Sequence, residues 1–193
     1  MKATLSPGEV RLITDGTGRV PAQIAKLQVR RLGMDWRESD IRDMLRSGAI
    51  TGLARISYRR GAPHLLDGYI LFRTMADEGE ILSFAVRPQS RRRGCAKDLL
   101  GQVLSFMRNK HVKQIFLEVS TANRAAIAFY ANAGFKIISV RRSYYTVENG
   151  DKNNALVLGM VVPGPRIWRI QGKVMVRYRF KMAFKVWKES PRY

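Results

Sequence analysis

The residues Arg91-Arg-Arg-Gly-Cys-Ala-Lys97 combine positive charge, a glycine and small side chains directly before an amphipathic run. That combination can hold a diphosphate. Glycine lets the backbone come close to a ligand. The first N–H groups of a following helix have no partner of their own, and the helix dipole favours negative charge at the same point. The chemistry expected here is binding of a nucleotide-like cofactor.

Such a turn works only if a strand feeds it and a helix follows it. Glu80-Ile-Leu-Ser-Phe-Ala-Val86 has the short apolar, aromatic composition of a strand. Leu99, Leu100, Val103, Leu104 and Met107 recur at helical spacing, which predicts a helix over 94–110. Upstream, 20–31 reads as a helix with Ile24, Leu27 and Arg31 on one face. A second helix is predicted with Ser39 as N-cap, Ile41, Met44 and Leu45 inside, and Gly48 past its end. Ile50–Tyr58, Gly68–Arg73 and Glu80–Val86 have the spacing of an antiparallel meander. Further strands at 114–120, 135–142 and 154–162, with a helix at 123–133, complete a mixed sheet with helices on it, an α/β (α+β) domain.

The 193-residue chain carries 35 Lys and Arg against 15 Asp and Glu, a net charge of +20. Charge of that size predicts salt-sensitive attraction to RNA, ribosomes or acidic protein. The one cysteine, Cys95, excludes an internal disulfide, and no Cys/His cluster has metal-ligand spacing, so no metal is expected. No apolar run reaches ~20 residues, the length of a membrane helix, and the start Met1-Lys2-Ala3-Thr4 lacks the apolar block of a signal peptide. A cytoplasmic protein with no membrane partner is expected. Residues 1–162 read as one domain and 163–193 as a basic extension opening with Pro-Gly-Pro. Val174 to Val186 alternates apolar and basic residues at strand period. Two readings stay open for it: an added edge strand, or an arm that touches ribosomal RNA.

Arg91-x-x-Gly94-x-Ala96 resembles the acetyl-CoA signature of the GNAT N-acetyltransferases. Leu117-Glu-Val119, Asn123-Arg-Ala-Ala-Ile-Ala-Phe-Tyr130 and Ala133-Gly-Phe135 resemble the second half of that family. Arg141-Arg-Ser-Tyr-Tyr145 and the segment Met34-Asp-Trp-Arg-Glu38 are similar to its RimI branch, the bacterial ribosomal-protein-alanine N-acetyltransferases. The resemblance covers about residues 20–162. It implies the GNAT acyl-CoA N-acyltransferase fold, a central mixed, mostly antiparallel sheet flanked by helices. It also implies acetyl-CoA as cosubstrate. Phe84, Ala85 and Val86 would then lie along the pantetheine. Arg92, Arg93, Gly94, Cys95, Ala96 and Lys97 would wrap the pyrophosphate, and Asn123 would contact the cofactor arm. Glu118 would be the proton acceptor and Tyr130 the proton donor. Ala96 stands for the commoner second glycine, and Phe129 for a usual leucine.

These residue types suit amide formation. An α-amino group, with a pKa of roughly 7.7–8.0, needs only mild proton removal, which a carboxylate can supply. Read singly, each residue has another role open to it: Glu118 as a surface or paired strand residue, Tyr130 as a core-edge aromatic with a wet hydroxyl, Asn123 as a helix N-cap. His64 and His111 read as loop or surface residues. Three functions are compatible with these residues: acetylation of the N-terminal alanine of small-subunit ribosomal protein eighteen, acetylation of another terminus, a lysine or a small amine, or ribosome and RNA binding on a vestigial fold. Deleting 163–193 is expected to spare acetyl transfer to short peptides while weakening ribosome association in a pull-down. Loss of peptide activity would instead make the tail part of the fold.

Overall fold

A computed structural model describes residues 8–14, 16–32, 36–59, 62–146 and 152–162. At its centre is the antiparallel meander expected from the sequence, made of β2 (Thr51–Arg59), β3 (Ala62–Met75) and β4 (Glu78–Val86). β3 outruns its predicted 68–73 at both ends. An additional strand not expected from the sequence, β1 (Glu9–Ile13), pairs antiparallel with β2. After β4 come a single 3-10 turn (Pro88–Ser90), helix α3 (Cys95–Asn109) and strand β5 (Gln114–Ser120). A connection of that length is what a parallel neighbour requires, and β5 runs parallel to β4.

Helix α4 (Arg124–Asn132) leads into β6 (Lys136–Thr146) and β7 (Lys152–Val161), and β7 inserts between β5 and β6. The sheet order is β1-β2-β3-β4-β5-β7-β6, with every pair antiparallel except β4–β5. The expected mixed, mostly antiparallel sheet is therefore present. Residues 163–193, including the alternating stretch Val174 to Val186, lie outside the described residues, as do Met34 and Asp35 and the side chains of Tyr144 and Tyr145.

Helices cover both faces of the sheet. On one, Ile24 from α1 (Val20–Leu32) and Ile41 and Leu45 from α2 (Glu38–Arg46) pack against Ala54, Tyr69 and Leu71. Ile24 is joined on the inner side of α1 by Gln28, fully buried, while Leu27 is only partly buried; the side chain of Arg31 lies outside the described residues. The N-cap of α2 is Arg37, not Ser39: the Arg37 N–H donates to Asp40 Oδ2 at 2.8 Å, so the acidic residue one turn in decides where the helix starts. On the opposite face, Leu99, Leu100, Val103 and Met107 of α3 pack with Ile70, Phe72, Ile115 and Leu117. The helical period read from the sequence is the buried stripe, except that Leu104 is only partly buried.

Tyr69, Ile70, Leu71 and Phe72 are each fully buried, because β3 is covered on both sides. Burial pushes the Tyr69 hydroxyl up to about 12, partly offset by its 2.8 Å hydrogen bond with Ser83 Oγ. Substituting Leu99→Ala is expected to lower unfolding free energy by about 3 kcal/mol in denaturant titration, because the α3 contact to the sheet loses a fully enclosed side chain.

Candidate active site

The site is built where β4 and β5 part. The two strands pair only from Glu78↔Gln114 to Ile81↔Leu117, although β4 continues to Val86 and β5 to Ser120. Each stays paired on its other edge, Val86 with Gly68 and Ser120 with Ala155. The inner edges of Leu82–Val86 and Glu118–Ser120 therefore line an open seam. A bulge marks its start: Ile81 faces Phe72 and Ser83 faces Leu71, leaving Leu82 as an extra residue. One extra residue reverses which side chains face which way. Ile81 accordingly joins the α3 core and Ala85 the α1/α2 core, while Phe84 and Val86 pack on the α3 side.

At the mouth of the seam stands the basic turn. Arg91, Arg92, Arg93 and Gly94 are exposed, and both Arg92 and Gly94 adopt left-handed backbone, with φ of 56° and 78°. Gly94 is the N-cap of α3, and the first intrahelical bond runs from Asp98 N–H to Gly94 O at 2.9 Å. The N–H groups of Cys95, Ala96 and Lys97 precede that bond and face out of the helix end. A diphosphate fits this donor set, with arginines beside it. A salt bridge from Arg55 to Asp98, 2.6 Å, ties the first helical turn to β2.

Cys95 contributes only backbone here. Its side chain is 2% exposed and lies in the α3 core, where burial pushes the thiol up to about 11, opposed in part by Arg55.

Glu118 lies one residue beyond the last β4–β5 pair and opposite Val157 of β7. Its carboxylate pairs with Arg141 of β6 at 2.9 Å, the Glu118 side chain being 19% exposed. Arg141 belongs to the Arg141–Tyr145 motif, but a partnership with Glu118 was not legible from spacing: a hairpin had to fold back to create it. The Tyr130 ring is buried in the core. Its ring lies 5.3 Å from Phe129, 5.5 Å from Phe135 and 6.4 Å from Phe84. Phe129, 6.0 Å from Phe84, completes this aromatic packing. Thus α4 brings Tyr130 against the seam residue Phe84. Asn123 is the N-cap of α4, its side chain accepting the Ala126 N–H at 3.1 Å, and it is exposed.

Other sequence expectations fall elsewhere. His64 and His111 are both exposed, as expected for surface residues: His64 lies on β3 with its ring centroid 4.5 Å from that of Tyr58, edge to face, and His111 is a turn residue with φ of 58°. Trp36 sits just before α2 and packs on the α1/α2 core. An open groove of about 560 Å³ lies between β1 and α3, lined by Gly8, Val10, Lys97 and Gln102 among others, and does not include the seam. Among the described residues no group of three or more His, Cys, Asp or Glu side chains could hold a metal ion, and no helix is long and apolar enough to cross a membrane.

The sheet is seven-stranded, opened between its two parallel strands, with a basic turn at the opening. The profile of the Acetyltransferase (GNAT) family matches residues 34–135, just over half of the chain, and the chain belongs to that family. Among curated proteins it is similar to the [Ribosomal protein bS18]-alanine N-acetyltransferase of Haemophilus ducreyi, 28% identical over 92 residues, which is 48% of this chain and 63% of that protein. It is also similar to the N-alpha-acetyltransferase RimI of Mycobacterium tuberculosis, 40% identical over 81 residues, 42% of this chain and 49% of that protein. The chain thus spans less than two thirds of the length of these relatives. The crystal structure of the ribosomal-protein-S18-alanine N-acetyltransferase from Escherichia coli superposes with a TM-score of 0.64 at 21% identity, covering 86% of this chain and 99% of that one. That likeness shows the shared fold.

The Cys95 thiol is expected to resist a thiol reagent in the native protein at pH 7 to 8, where a group with a pKa of about 11 is almost wholly protonated. Its labelling rate should rise toward pH 11, and unfolding in denaturant should release it to the ordinary value. Rapid native labelling at neutral pH would contradict the buried placement.

Proposed function

We propose that this chain transfers the acetyl group of acetyl-CoA to the α-amino group of a protein N terminus, by direct attack with both substrates bound. The acceptor we infer is the N-terminal alanine of small-subunit ribosomal protein eighteen. The observation that carries this is the convergence at one seam: Phe84 on β4, Tyr130 against it from α4, and Glu118 just past the last β4–β5 pair. The names of the similar proteins, and the Arg141-Arg-Ser-Tyr-Tyr145 motif, support the choice of acceptor.

Acetyl-CoA would supply an activated thioester. The amides of Cys95, Ala96 and Lys97, with Arg92, Arg93 and Gly94 around them, would hold its diphosphate, and the backbone of Phe84, Ala85 and Val86 would hold its pantetheine arm. Asn123, at the exposed start of α4, would contact that arm from the other side. Glu118 takes the proton of the attacking amine, directly or through a water, while Arg141 orients its carboxylate. Backbone N–H groups of the seam near Val86 donate to the oxygen on which charge develops, a role fixed donors perform well. Tyr130 donates to the departing sulfur. Nothing here requires an acyl-enzyme, so alignment of the two substrates provides much of the rate. A lysine acceptor, pKa ~10.4, would need stronger base assistance than one paired carboxylate gives. Ribosome or RNA contact through the basic surface would bring the enzyme to its acceptor.

The test is acetyl transfer to peptides that differ in first residue, with and without an internal lysine. Alanine-first peptides are expected to react at the α-amine, and Glu118→Gln is expected to lower kcat by about a hundredfold or more, the range of general-base loss. Equal reaction at lysine side chains would remove the N-terminal reading. A Glu118→Gln variant with full activity would remove the assigned base.

A further inference from the structure

Directly beneath the basic turn lies a buried carboxylate to which acetyl transfer assigns no role. Asp67 sits in β3 within the run Leu65-Leu66-Asp67-Gly68-Tyr69-Ile70, and is 6% exposed. Its Oδ1 accepts from Ser90 Oγ at 2.6 Å and from the Arg87 guanidinium at 3.0 Å. Its Oδ2 accepts from Ser57 Oγ of β2, and its main-chain oxygen accepts the Arg87 N–H at 2.8 Å. Gly8, just ahead of β1, closes over the group: a Cβ there would come within 2.8 Å of Asp67 Oδ2. A carboxylate enclosed in this way is tolerated only because several donors meet it.

An apolar side chain would serve the core equally well at this position, since replacing a buried ionic group by a hydrophobic one is often neutral or stabilising. What Asp67 does that an apolar residue cannot is hold the two ends of Arg87–Ser90. Arg87 is the first residue after β4, and Ser90 is the last of the 3-10 turn. Immediately beyond them Arg92 takes a left-handed conformation that costs a non-glycine residue energy. Strained backbone persists only where its surroundings over-determine it. The segment is further tied by Ser90 N–H to Arg87 O at 2.9 Å and Arg91 N–H to Pro88 O at 3.2 Å, bonds that are internal to the turn and cannot fix its position on the sheet. The main-chain bond from Arg87 N–H to Asp67 O anchors one end, and the carboxylate adds a second hold on Arg87 and the side-chain hold on Ser90.

We propose that Asp67 is a positioning residue for the diphosphate of the cosubstrate: by clamping Arg87 and Ser90 to β3 where β4 ends, it holds the amides of the Arg92–Lys97 turn in their binding arrangement before the ligand arrives. The proposal rests on the acetyl-CoA reading of the turn. Preorganisation of this kind raises affinity by removing the ordering cost from the binding step. It acts on the diphosphate end of the ligand alone and leaves the reacting end, at Glu118 and Tyr130, as it was.

The test compares the unchanged protein with Asp67→Asn and Ser90→Ala. Coenzyme A affinity is read by calorimetry, and acetyl transfer by steady-state kinetics with acetyl-CoA and with S-acetylpantetheine, which has the same thioester arm and no diphosphate. Loss of a charge-assisted bond predicts about tenfold weaker coenzyme A binding in Asp67→Asn and a smaller loss of the same kind in Ser90→Ala. The KM for acetyl-CoA should rise in parallel, with kcat at saturation and kcat/KM for S-acetylpantetheine held within about twofold, as for a change in binding alone. Unchanged coenzyme A affinity in the folded variants would overturn the proposal, as would an equal loss with both donors, which marks general damage. Should Asp67→Asn fail to fold, Ser90→Ala decides. If the unchanged protein binds coenzyme A but acetylates no N terminus, the acceptor reading falls while the affinity comparison still judges Asp67. If it binds no coenzyme A, the positioning role falls with the site.

Discussion

The separation of β4 from β5 after four register pairs is the constraint on which the rest of the molecule depends. Parallel strands with matched lengths would normally continue pairing, since unpaired backbone groups inside a sheet are costly. Two features stop them here. The extra residue at Leu82 breaks the alternation of β4 where pairing ends, and each strand keeps its other neighbour, β3 for β4 and β7 for β5. The sheet is therefore secured on both flanks of the opening, and the opening does not have to be held by side chains. Bulges beside functional sites commonly have this effect of ending a ladder and re-aiming the side chains beyond it.

Because the bulge reverses the alternation, Phe84 and Val86 turn toward the α3 side, where α4 brings Tyr130 and Phe129. Aromatic contacts then lock α4 to the seam. The crossover that makes β5 parallel also delivers α3 with its N-terminus at the end of β4, the place where the ends of parallel strands and helix N-termini coincide in this kind of connection. One topological fact thus places a basic turn, an open backbone edge and a buried aromatic cluster next to each other. The family membership is consistent with that arrangement.

The positive charge of the chain is divided between uses. In the turn, Arg91, Arg92 and Arg93 are exposed beside amides that precede the first intrahelical bond, so backbone dipoles and side-chain charge stand side by side. Other arginines are spent inside the protein: Arg55 on Asp98, Arg87 on Asp67, Arg141 on Glu118. Pairs of this sort contribute little to stability when exposed and act mainly to orient the groups they touch when partly buried. Each of these three orients a group at the seam or its mouth. The surplus of Lys and Arg over Asp and Glu that this leaves is the charge any contact with nucleic acid would draw on.

Much of the molecule was legible in the sequence because local chemistry decides it. The α3 stripe of Leu99, Leu100, Val103 and Met107 follows from helical period, β5 from an alternation that starts and stops at its true ends, and the N-cap at Asn123 from a short side chain whose oxygen reaches the amide three residues on. The α2 start was misread at Ser39 because two nearby residues competed for the cap and Asp40 settled it. The sequence alone therefore determined most of the elements, the basic glycine turn between β4 and α3, and the family they resemble. Only the tertiary structure decided which groups meet: the Glu118–Arg141 pair, the Asp67 clamp on Arg87 and Ser90, and the burial of Tyr130 beside Phe84. The reason is physical. Hydrogen-bond and helix periodicity act over a few residues, whereas these contacts join positions 20 or more apart that come together once the sheet order and the Leu82 bulge have set which faces and edges adjoin.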